Sequence, residues 1–230
     1  MREQLLHLLF PHVCLVCQKL LLYGEEYCCA ACMEAFDPFS TPSEAENILR
    51  QTIVSHFGEH FPFERGWCRY QFHKKSPLQK VLHSMKYEGL FNLGKSFGRQ
   101  LGEWMLSGGD IGDIECIVPV PLHHLKKTER SYNQSEKIAE GIAQSLRQPV
   151  RSGLLVRKRY TVSQTGLSVE GRKKNSDGAF LAVKGVRGCN VLLVDDVVTT
   201  GATMAAAAQA LREGGARKVS LAAVAVAAKE

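Results

Sequence analysis

The chain is predicted to be an α/β protein in which a parallel sheet is flanked by helices, with a small cysteine-rich module at its amino-terminal end. From residue 113 onwards, short β-branched and apolar runs alternate with helical patterns, which is typical of a parallel sheet. Five of the eight cysteines lie before residue 33. We therefore predict a four-cysteine module at 1–38, a connecting helical region at 39–112 and an α/β domain at 113–230.

The composition is ordinary for a soluble globular protein, with 45% hydrophobic and 23% charged residues in a chain of 230. No apolar run approaches the roughly 20 residues that a membrane span needs. The first ten residues are mildly apolar, but no small-residue cleavage site of a signal peptide follows them. We therefore expect a cytoplasmic protein without a membrane span.

Basic residues are concentrated in one stretch of the chain. The formal net charge is +6, from 29 basic and 23 acidic side chains, and the stretch from Arg147 to Lys174 contains eight basic residues against the single acid Glu170. A local field of this sign attracts phosphate groups, whether on a nucleotide or along a nucleic-acid backbone. The alternative interpretation is a solvated basic face without a partner.

Two helices are predicted in the middle region. Ser76 and Pro77 suit a helix start, and the next apolar residues recur at helical spacing on one face: Leu78, Val81, Leu82 and Met85. A second stripe consists of Leu93, Phe97, Leu101 and Trp104. Glycines four apart accompany this stripe, namely Gly94, Gly98 and Gly102. Because each glycine costs a helix about 1 kcal/mol, we predict that they permit close packing against another element.

The last region alternates strands and helices. Predicted strands lie near Cys116–Val118, Leu154–Val156, Val191–Val194 and Val219–Val226, and predicted helices at about Gln134–Leu146 and Gly201–Arg212. Asn133 with Glu136 three residues later suits a capped helix start. The run at Val191 is continuously apolar, as in a buried parallel strand.

The most specific pattern follows that run. Two adjacent carboxylates, Asp195 and Asp196, are expected at the carboxyl end of the strand, where ligands of open α/β sheets bind. The chain then passes through small hydroxyl residues and Gly201 into a helix, whose unpaired N–H groups favour a phosphate. The carboxylates suit the two hydroxyls of a neighbouring ribose. The pattern therefore predicts a site for a ribose 5-phosphate, and the alternative is an acidic turn that only caps a helix.

The cysteine cluster predicts a structural zinc site. Two C-x-x-C pairs, Cys14 with Cys17 and Cys29 with Cys32, are separated by eleven residues, and each pair supplies two thiolates for a tetrahedral Zn²⁺. Cys28 is an alternative to Cys29 as the third ligand, although the regular spacing favours Cys29. Redox catalysis is disfavoured, because neither pair precedes a thioredoxin-like helix.

The stretch from Val191 to Thr203 resembles the phosphoribosyl-pyrophosphate (PRPP) motif of type I phosphoribosyltransferases. The resemblance implies a parallel five-stranded sheet flanked by helices, with a hood segment over the strand ends. It implies that Asp195 and Asp196 contact the ribose hydroxyls, and that the 5′-phosphate is wrapped by Val197, Val198, Thr199, Thr200, Gly201, Ala202 and Thr203. Magnesium would accompany PRPP.

Two further loops are implied by the same resemblance. A pyrophosphate loop would run from Pro119 to Asn133, and its candidate residues are Lys126, Lys127, Arg130 and Asn133. A flexible loop would close over the site from about Thr161 to Ser176, and its candidates are Gln164, Thr165, Gly166 and Arg172. Both loops are polar and basic, as a pyrophosphate with its metal ion requires.

Nearly the full length of the chain resembles the ComF family of late-competence proteins, which act in DNA uptake. The similar segments, besides the two motifs, are Leu82–Gly89, Val118–Leu122, Arg130–Gln134, Gln164–Ser168, Arg172, Asn175 and Gly178–Phe180. The chain departs at Ser131, where the family usually carries glycine. The resemblance implies a protein that handles incoming single-stranded DNA, with the uptake machinery as a partner.

Two functional hypotheses follow. In the first, a retained PRPP site serves a protein that also binds single-stranded DNA, with Tyr160, Phe180 or Trp67 as stacking surfaces. In the second, the chain is an active phosphoribosyltransferase of nucleotide metabolism, unrelated to DNA uptake. Glutamine-dependent amidotransfer is rejected, because it needs a cysteine nucleophile exposed after removal of Met1 and residue 2 is arginine.

Overall fold

Four parallel strands form the central sheet of the computed structural model, which describes residues 12–57, 63–122, 131–157 and 178–227. In chain order the strands are β1 (Gly66–Phe72), β2 (Cys116–Pro119), β3 (Leu155–Arg157), β4 (Phe180–Ala182), β5 (Asn190–Val198) and β6 (Lys218–Ala227). The sheet has the order β1-β6-β5-β2, and every neighbouring pair is parallel. β3 and β4 form a separate antiparallel pair. The described residues thus contribute four strands where the resemblance implies five.

Helices cover both faces of this sheet. In chain order they are α1 (Ala30–Glu34), α2 (Pro42–Phe57), α3 (Pro77–Tyr87), α4 (Phe91–Ser107), α5 (Gln134–Leu146) and α6 (Ala202–Glu213). The side chains of β5 alternate between two cores: Val191 and Leu193 pack with α2 and α6, whereas Leu192 and Val194 pack with α3, α4 and α5. A strand buried on both faces requires a continuous apolar run, which explains the pattern in the sequence.

Cap residues and apolar spacing in the sequence predicted α3 and α5 correctly. Ser76 caps α3 by accepting a hydrogen bond from the Gln79 N–H, and the whole predicted stripe of α3 is buried. Asn133 caps α5, but its side chain accepts from the N–H of Ser135 rather than forming a reciprocal pair with Glu136. These caps satisfy N–H groups that a helix start leaves unpaired.

The glycines of α4 permit a close helix–helix contact, as predicted. A Cβ atom built on Gly98 would lie 2.0 Å from the Ile138 carbonyl oxygen of α5, and one built on Gly102 would lie 2.7 Å from Ser145 Cβ. Gly141 of α5 has a similar constraint, since its Cβ would meet the Lys95 carbonyl oxygen at 2.2 Å. The backbones of α4 and α5 therefore touch where these residues face each other.

The middle region contributes a strand to the sheet. β1 pairs along most of its length with β6, the last of the described strands. The division into three domains stays a prediction, but residues 66–72 lie in the same sheet as the carboxyl-terminal strands. Among the residues that the structure describes, no helix combines the length and apolar character that crossing a bilayer requires.

Candidate functional site

The two acids lie within β5 rather than after it. β5 continues through Asp195 and Asp196 to Val198 and stays paired with β6, so the expectation that the strand stops at the acids is corrected. The neighbour on the other side, β2, ends at Pro119, opposite Val194. The acids therefore lie just beyond the point where β5 loses one neighbouring strand, and this opens the sheet edge for a ligand.

Asp195 is held by the start of α5. Its Oδ1 accepts hydrogen bonds from Ser135 Oγ at 2.8 Å and from the Asp196 N–H at 2.9 Å. Burial, together with the negative charge of Asp196, raises the pKa of Asp195 to about 7, although the Ser135 hydroxyl, the Asp196 N–H and Lys86 oppose the rise. This carboxyl group consequently changes its charge near neutral pH.

Asp196 is held by a lysine from α3. Lys86 Nζ lies 2.6 Å from Asp196 Oδ2, and Asp196 Oδ1 accepts a hydrogen bond from the Val197 N–H at 2.7 Å. The side chains of Lys86 and Asp196 are 24% and 14% exposed, so solvent screens this ion pair only in part. The two carboxylates thus share one nearby ammonium group.

The loop after β5 leads directly into α6. Gly201 has φ 78°, and its Cβ would lie 2.9 Å from Ile53 Cγ1 of α2, so both the backbone and the packing require glycine. Thr200 Oγ1 lies 3.5 Å from the Ala202 N–H at the helix start. A cavity of about 50 Å³ is lined by Asp195 and residues 197–204. Typical ligand pockets measure roughly 300–1,000 Å³, so this one suits a phosphate group rather than a whole nucleotide.

The predicted pyrophosphate loop is described only at its ends. Asn133 is buried, and its amide nitrogen donates to the Val120 carbonyl oxygen at 3.0 Å, so the side chain joins the two ends of the loop. Its contact with pyrophosphate stays a prediction. Ser131 has φ 64°, a left-handed conformation that glycine adopts at lower cost, which accounts for glycine at this position in the family. Lys126, Lys127 and Arg130 lie outside the described residues.

The other predicted loop also lies outside the described residues, with Gln164, Thr165, Gly166 and Arg172. The structure corrects two of the suggested stacking surfaces. Trp67 is 1% exposed because it packs in the core with residues of α3, α4 and α5, and Phe180 is 7% exposed because β4 packs against α6. Neither ring can stack on a nucleic-acid base without local opening. Tyr160 falls outside the described residues.

The four predicted cysteines form one cluster. The Sγ atoms of Cys14, Cys17, Cys29 and Cys32 all lie within 4.8 Å of one another, and Cys17 Sγ is 3.7 Å from Cys29 Sγ. A tetrahedral zinc ion with Zn–S bonds of about 2.3 Å separates its sulfurs by about 3.8 Å, so the donor set and its spacing fit this metal. Cys28 is not a member of the cluster.

The pKa values of two cysteines in this module are shifted in opposite directions. Burial alone would raise the pKa of Cys14, but the N–H groups of Cys17, Cys29 and Val16 outweigh it and lower the pKa to about 6. Burial raises the pKa of Cys28 to about 12. Burial also raises the pKa of Cys32, which belongs to the cluster, so the positions of the sulfur atoms and not their acidities identify the candidate ligands.

Sequence reasoning assigned no role to Lys86 or Ser135. Lys86 falls within the Leu82–Gly89 segment that carried part of the family resemblance, and this was its only signal. Ser135 had none, because a serine near a helix start is explained by capping alone. Both side chains reach the acids from elements distant in sequence.

Comparisons with known proteins concern the domain that contains the loop after β5. A family model described as "Phosphoribosyl transferase domain" matches residues 132–230. With its parallel sheet and the loop after β5, the chain carries a type I phosphoribosyltransferase domain. Over 92% of its length it is similar to "Competence protein F" of Haemophilus influenzae (27% identity, 96% of that protein) and to "DNA utilization protein YhgH" of Escherichia coli K12 (28%, 95% of that protein). These similarities support the resemblance of the whole chain to the ComF family.

Two further similarities are more partial. "Competence protein ComFC" of Bacillus subtilis is 30% identical over 102 residues, which cover 43% of this chain and 39% of that protein. A solved structure of the glutamine PRPP amidotransferase from B. subtilis, complexed with ADP and GMP, superposes with a TM-score of 0.40 and 21% identity. It covers 75% of this chain, which in turn spans 30% of that longer chain.

Proposed function

We propose that this chain is a member of the ComF family and that it binds PRPP, or a related ribose 5-phosphate ligand, at the loop between β5 and α6. The observation that carries the proposal is the position of Asp195 and Asp196 at an open sheet edge, immediately before the small phosphate-sized cavity at the start of α6. Carboxylates accept hydrogen bonds from ribose hydroxyls, and the helix start provides N–H donors for the 5′-phosphate.

The threonines of the loop support the phosphate side of this proposal. Thr199 is exposed, Thr200 and Thr203 are half-buried, and all three carry hydroxyl donors beside the N–H groups at the helix start. Magnesium would enter with the pyrophosphate, since Mg²⁺ is commonly held by substrate phosphates together with one or two carboxylates.

Calorimetry with Mg²⁺ and PRPP tests the site. Wild type should show saturable binding, and Asp195→Asn/Asp196→Asn should weaken it by at least about tenfold, because the amides accept hydrogen bonds less strongly than carboxylates do. Removing two negative charges by itself favours an anion, so a loss of affinity cannot come from net charge.

A matched double variant, Glu103→Gln/Asp113→Asn, changes the same number of charges at exposed positions away from the loop and should bind PRPP like wild type. Wild-type protein that fails to bind PRPP would reject the proposal. Equal affinities of wild type and the Asp195/Asp196 variant for PRPP would show that PRPP binds elsewhere on the protein.

The proposed biological role is in DNA uptake or utilisation, together with single-stranded DNA and the uptake machinery. The names of the relatives support this role, and the basic stretch from Arg147 to Lys174 supports contact with a nucleic-acid backbone. A cytoplasmic site of action is proposed with it. The relatives extend over nearly the same length as this chain, so the comparison concerns the whole proteins.

Fluorescence anisotropy with a labelled oligothymidine tests DNA binding. Affinity should fall steeply between about 50 and 200 mM salt, because each phosphate contact releases counterions. Lys173→Gln/Lys174→Gln should bind more weakly and show a shallower salt dependence. Lys184→Gln/Arg187→Gln removes the same charge from exposed positions and should leave binding unchanged. If the two double variants weakened DNA binding equally, the basic stretch would contribute only through the net charge of the protein.

Catalytic phosphoribosyl transfer is the second candidate, and the phosphate loop with both acids in place favours it. In that case a nucleophile attacks the anomeric carbon and pyrophosphate leaves, with the site stabilising the charge that develops. Release of pyrophosphate from PRPP in the presence of candidate acceptors, abolished in Asp195→Asn/Asp196→Asn, would establish turnover. Binding of PRPP without release of pyrophosphate would favour a binding role over catalysis.

The cysteine cluster is proposed to hold one structural zinc ion. Four thiolates supply a closed tetrahedral set, which leaves no coordination position for a substrate. Glu25 stabilises the fold around the cluster, since its carboxylate accepts hydrogen bonds from the N–H groups of Leu22 and Ala30 at 2.7 Å each. The metal would hold together a module in which several apolar side chains, Leu20, Leu22 and Tyr23, are exposed and add nothing to a core.

A further inference from the structure

One segment of the family resemblance has so far been given no role in ligand binding. The segment Leu82–Gly89 covers the second half of α3, which packs its apolar face into the core through Leu82 and Met85. Lys86 lies on the last turn of the same helix, and its ammonium group meets Asp196 Oδ2 at 2.6 Å. The segment therefore places the ammonium group of Lys86 beside Asp196, one of the two proposed ribose-binding acids.

The position of this lysine is determined by several contacts. The Met85 carbonyl oxygen accepts a hydrogen bond from the Tyr132 hydroxyl, which joins the end of α3 to the residues before α5. Ser135, three residues further on, binds Asp195. The end of α3, the start of α5 and both acids thus form one connected group, so Lys86 is held at the site rather than projecting into solvent.

The chemistry of the ligand suggests what the ammonium group does. A phosphorylated ribose beside two carboxylates is repelled by them, and a cation at Asp196 offsets this repulsion. An ammonium group has three N–H donors, so its bond to Asp196 leaves it able to reach a second acceptor. Because C2 of ribose is bonded to C1, an acid that binds the 2-hydroxyl lies within a few ångströms of the substituent on C1.

We propose that Lys86 is a binding residue for the anionic group on the anomeric carbon, and that it makes the site select a ribose phosphorylated at both ends over ribose 5-phosphate. The inference rests on the proposed function, since it assumes that Asp195 and Asp196 bind the ribose hydroxyls. It assigns the 5′-phosphate to the α6 loop and the anomeric phosphate to Lys86. The selected ligand class is a ribose 5-phosphate that carries pyrophosphate or phosphate on C1.

The test compares two ligands on three proteins. PRPP with Mg²⁺ and ribose 5-phosphate are titrated by calorimetry into wild type, Lys86→Gln and Lys86→Arg. Lys86→Gln should lower the ratio of PRPP affinity to ribose 5-phosphate affinity by about tenfold, the typical effect of one lost charge-assisted hydrogen bond. Lys86→Arg keeps the positive charge and should retain the ratio within about threefold.

A matched control is Lys95→Gln. Lys95 is also ion-paired, with Glu140 at 2.9 Å, but it lies on α4 and should leave both affinities unchanged. Circular dichroism and the melting temperature show whether each variant is folded, and Lys86→Arg gives a second reading if Lys86→Gln is not.

The outcomes separate this inference from the proposed function. If Lys86 only neutralises Asp196, Lys86→Gln weakens both ligands equally and the affinity ratio stays constant, which overturns the inference while the PRPP site stands. An unchanged affinity for both ligands overturns it as well. If wild type binds neither ligand, the proposed function itself fails, and the inference fails with it.

Discussion

The raised pKa of Asp195 links the charge of the site to the stability of the fold. It accepts hydrogen bonds from Ser135 and from the Asp196 N–H, yet its burial beside a second carboxylate raises its pKa to about 7. In the unfolded chain its pKa returns to about 3.9. The folded state therefore binds this proton more tightly, so stability from this group is complete below about pH 4 and is lost as pH rises through 7.

Asp195→Asn should therefore change the pH dependence of stability. The amide is neutral at every pH, so the free energy of unfolding of the variant, relative to wild type, should increase by about 2–3 kcal/mol from pH 5 to pH 8. Urea unfolding at the two pH values measures this. Asp113→Asn, at an exposed position, should show the same difference from wild type at both. A constant difference for Asp195→Asn would mean that its carboxyl titrates as in the unfolded chain.

The two neighbouring cysteines of the module give a second residue-scale prediction. Cys29 Sγ lies in the four-sulfur cluster, whereas Cys28 is a buried thiol outside it. Metal analysis of purified protein should find about one zinc per chain in wild type and in Cys28→Ser, and a loss of most of it in Cys29→Ser. Zinc retained by Cys29→Ser but lost by Cys28→Ser would reverse the ligand assignment.

At the scale of elements, the contact between α4 and α5 positions the site. α5 carries Ser135 at its start, and α4 packs against α5 through glycines that leave no room for a side chain. The spacing of the α4 glycines predicted close packing, but the partner could not be predicted, because Gly141 is one isolated glycine within a helix and has no periodic partner in sequence. The partner depends on how the two helices cross, which is a property of the folded chain.

Gly98→Ala should be strongly destabilising. Its Cβ would lie 2.0 Å from the Ile138 carbonyl oxygen and 2.9 Å from Gly141 Cα, both backbone atoms that cannot rotate away. We expect a loss of at least about 2 kcal/mol in the free energy of unfolding, even though alanine favours a helix by about 1 kcal/mol. Urea unfolding measures this.

The matched control is Gly153→Ala. A Cβ at Gly153 has no neighbouring atom within 4 Å, and its backbone needs no left-handed conformation, so stability should change by less than about 1 kcal/mol. If Gly98→Ala changed the free energy of unfolding as little as Gly153→Ala, α4 and α5 would have to move apart without a cost in stability, which would contradict the tight contact.

At the scale of the whole molecule, the cysteine module and the sheet share one core. Cys14, Leu21 and Phe36 of the module belong to the same buried cluster as Trp67 of β1 and Leu192 of β5. Lys80 of α3 also donates to the Val16 carbonyl oxygen at 2.9 Å. The module therefore packs against the α/β domain, and the boundary between the two stays a prediction.

Removal of the metal should consequently affect the entire chain. Treatment with a strong zinc chelator should lower the melting temperature by at least about 5 °C, because the lost binding energy comes out of the shared core. Tryptophan fluorescence is a suitable readout, since Trp67 is buried in that core. An unchanged melting transition after complete removal of zinc would show that the module folds independently of the sheet.

Much of this molecule was determined by local sequence. The helical stripe of α3, the continuous apolar run of β5, the acids with their threonine loop and the paired cysteines are all visible as periodicity or spacing, because backbone geometry decides which nearby residues share a face. Tertiary structure alone decided that Lys86 and Ser135 meet the two acids, that β1 enters the sheet beside β6, and that Trp67 and Phe180 are buried. These outcomes join residues far apart in sequence, and no local period records which surfaces the folded chain brings into contact.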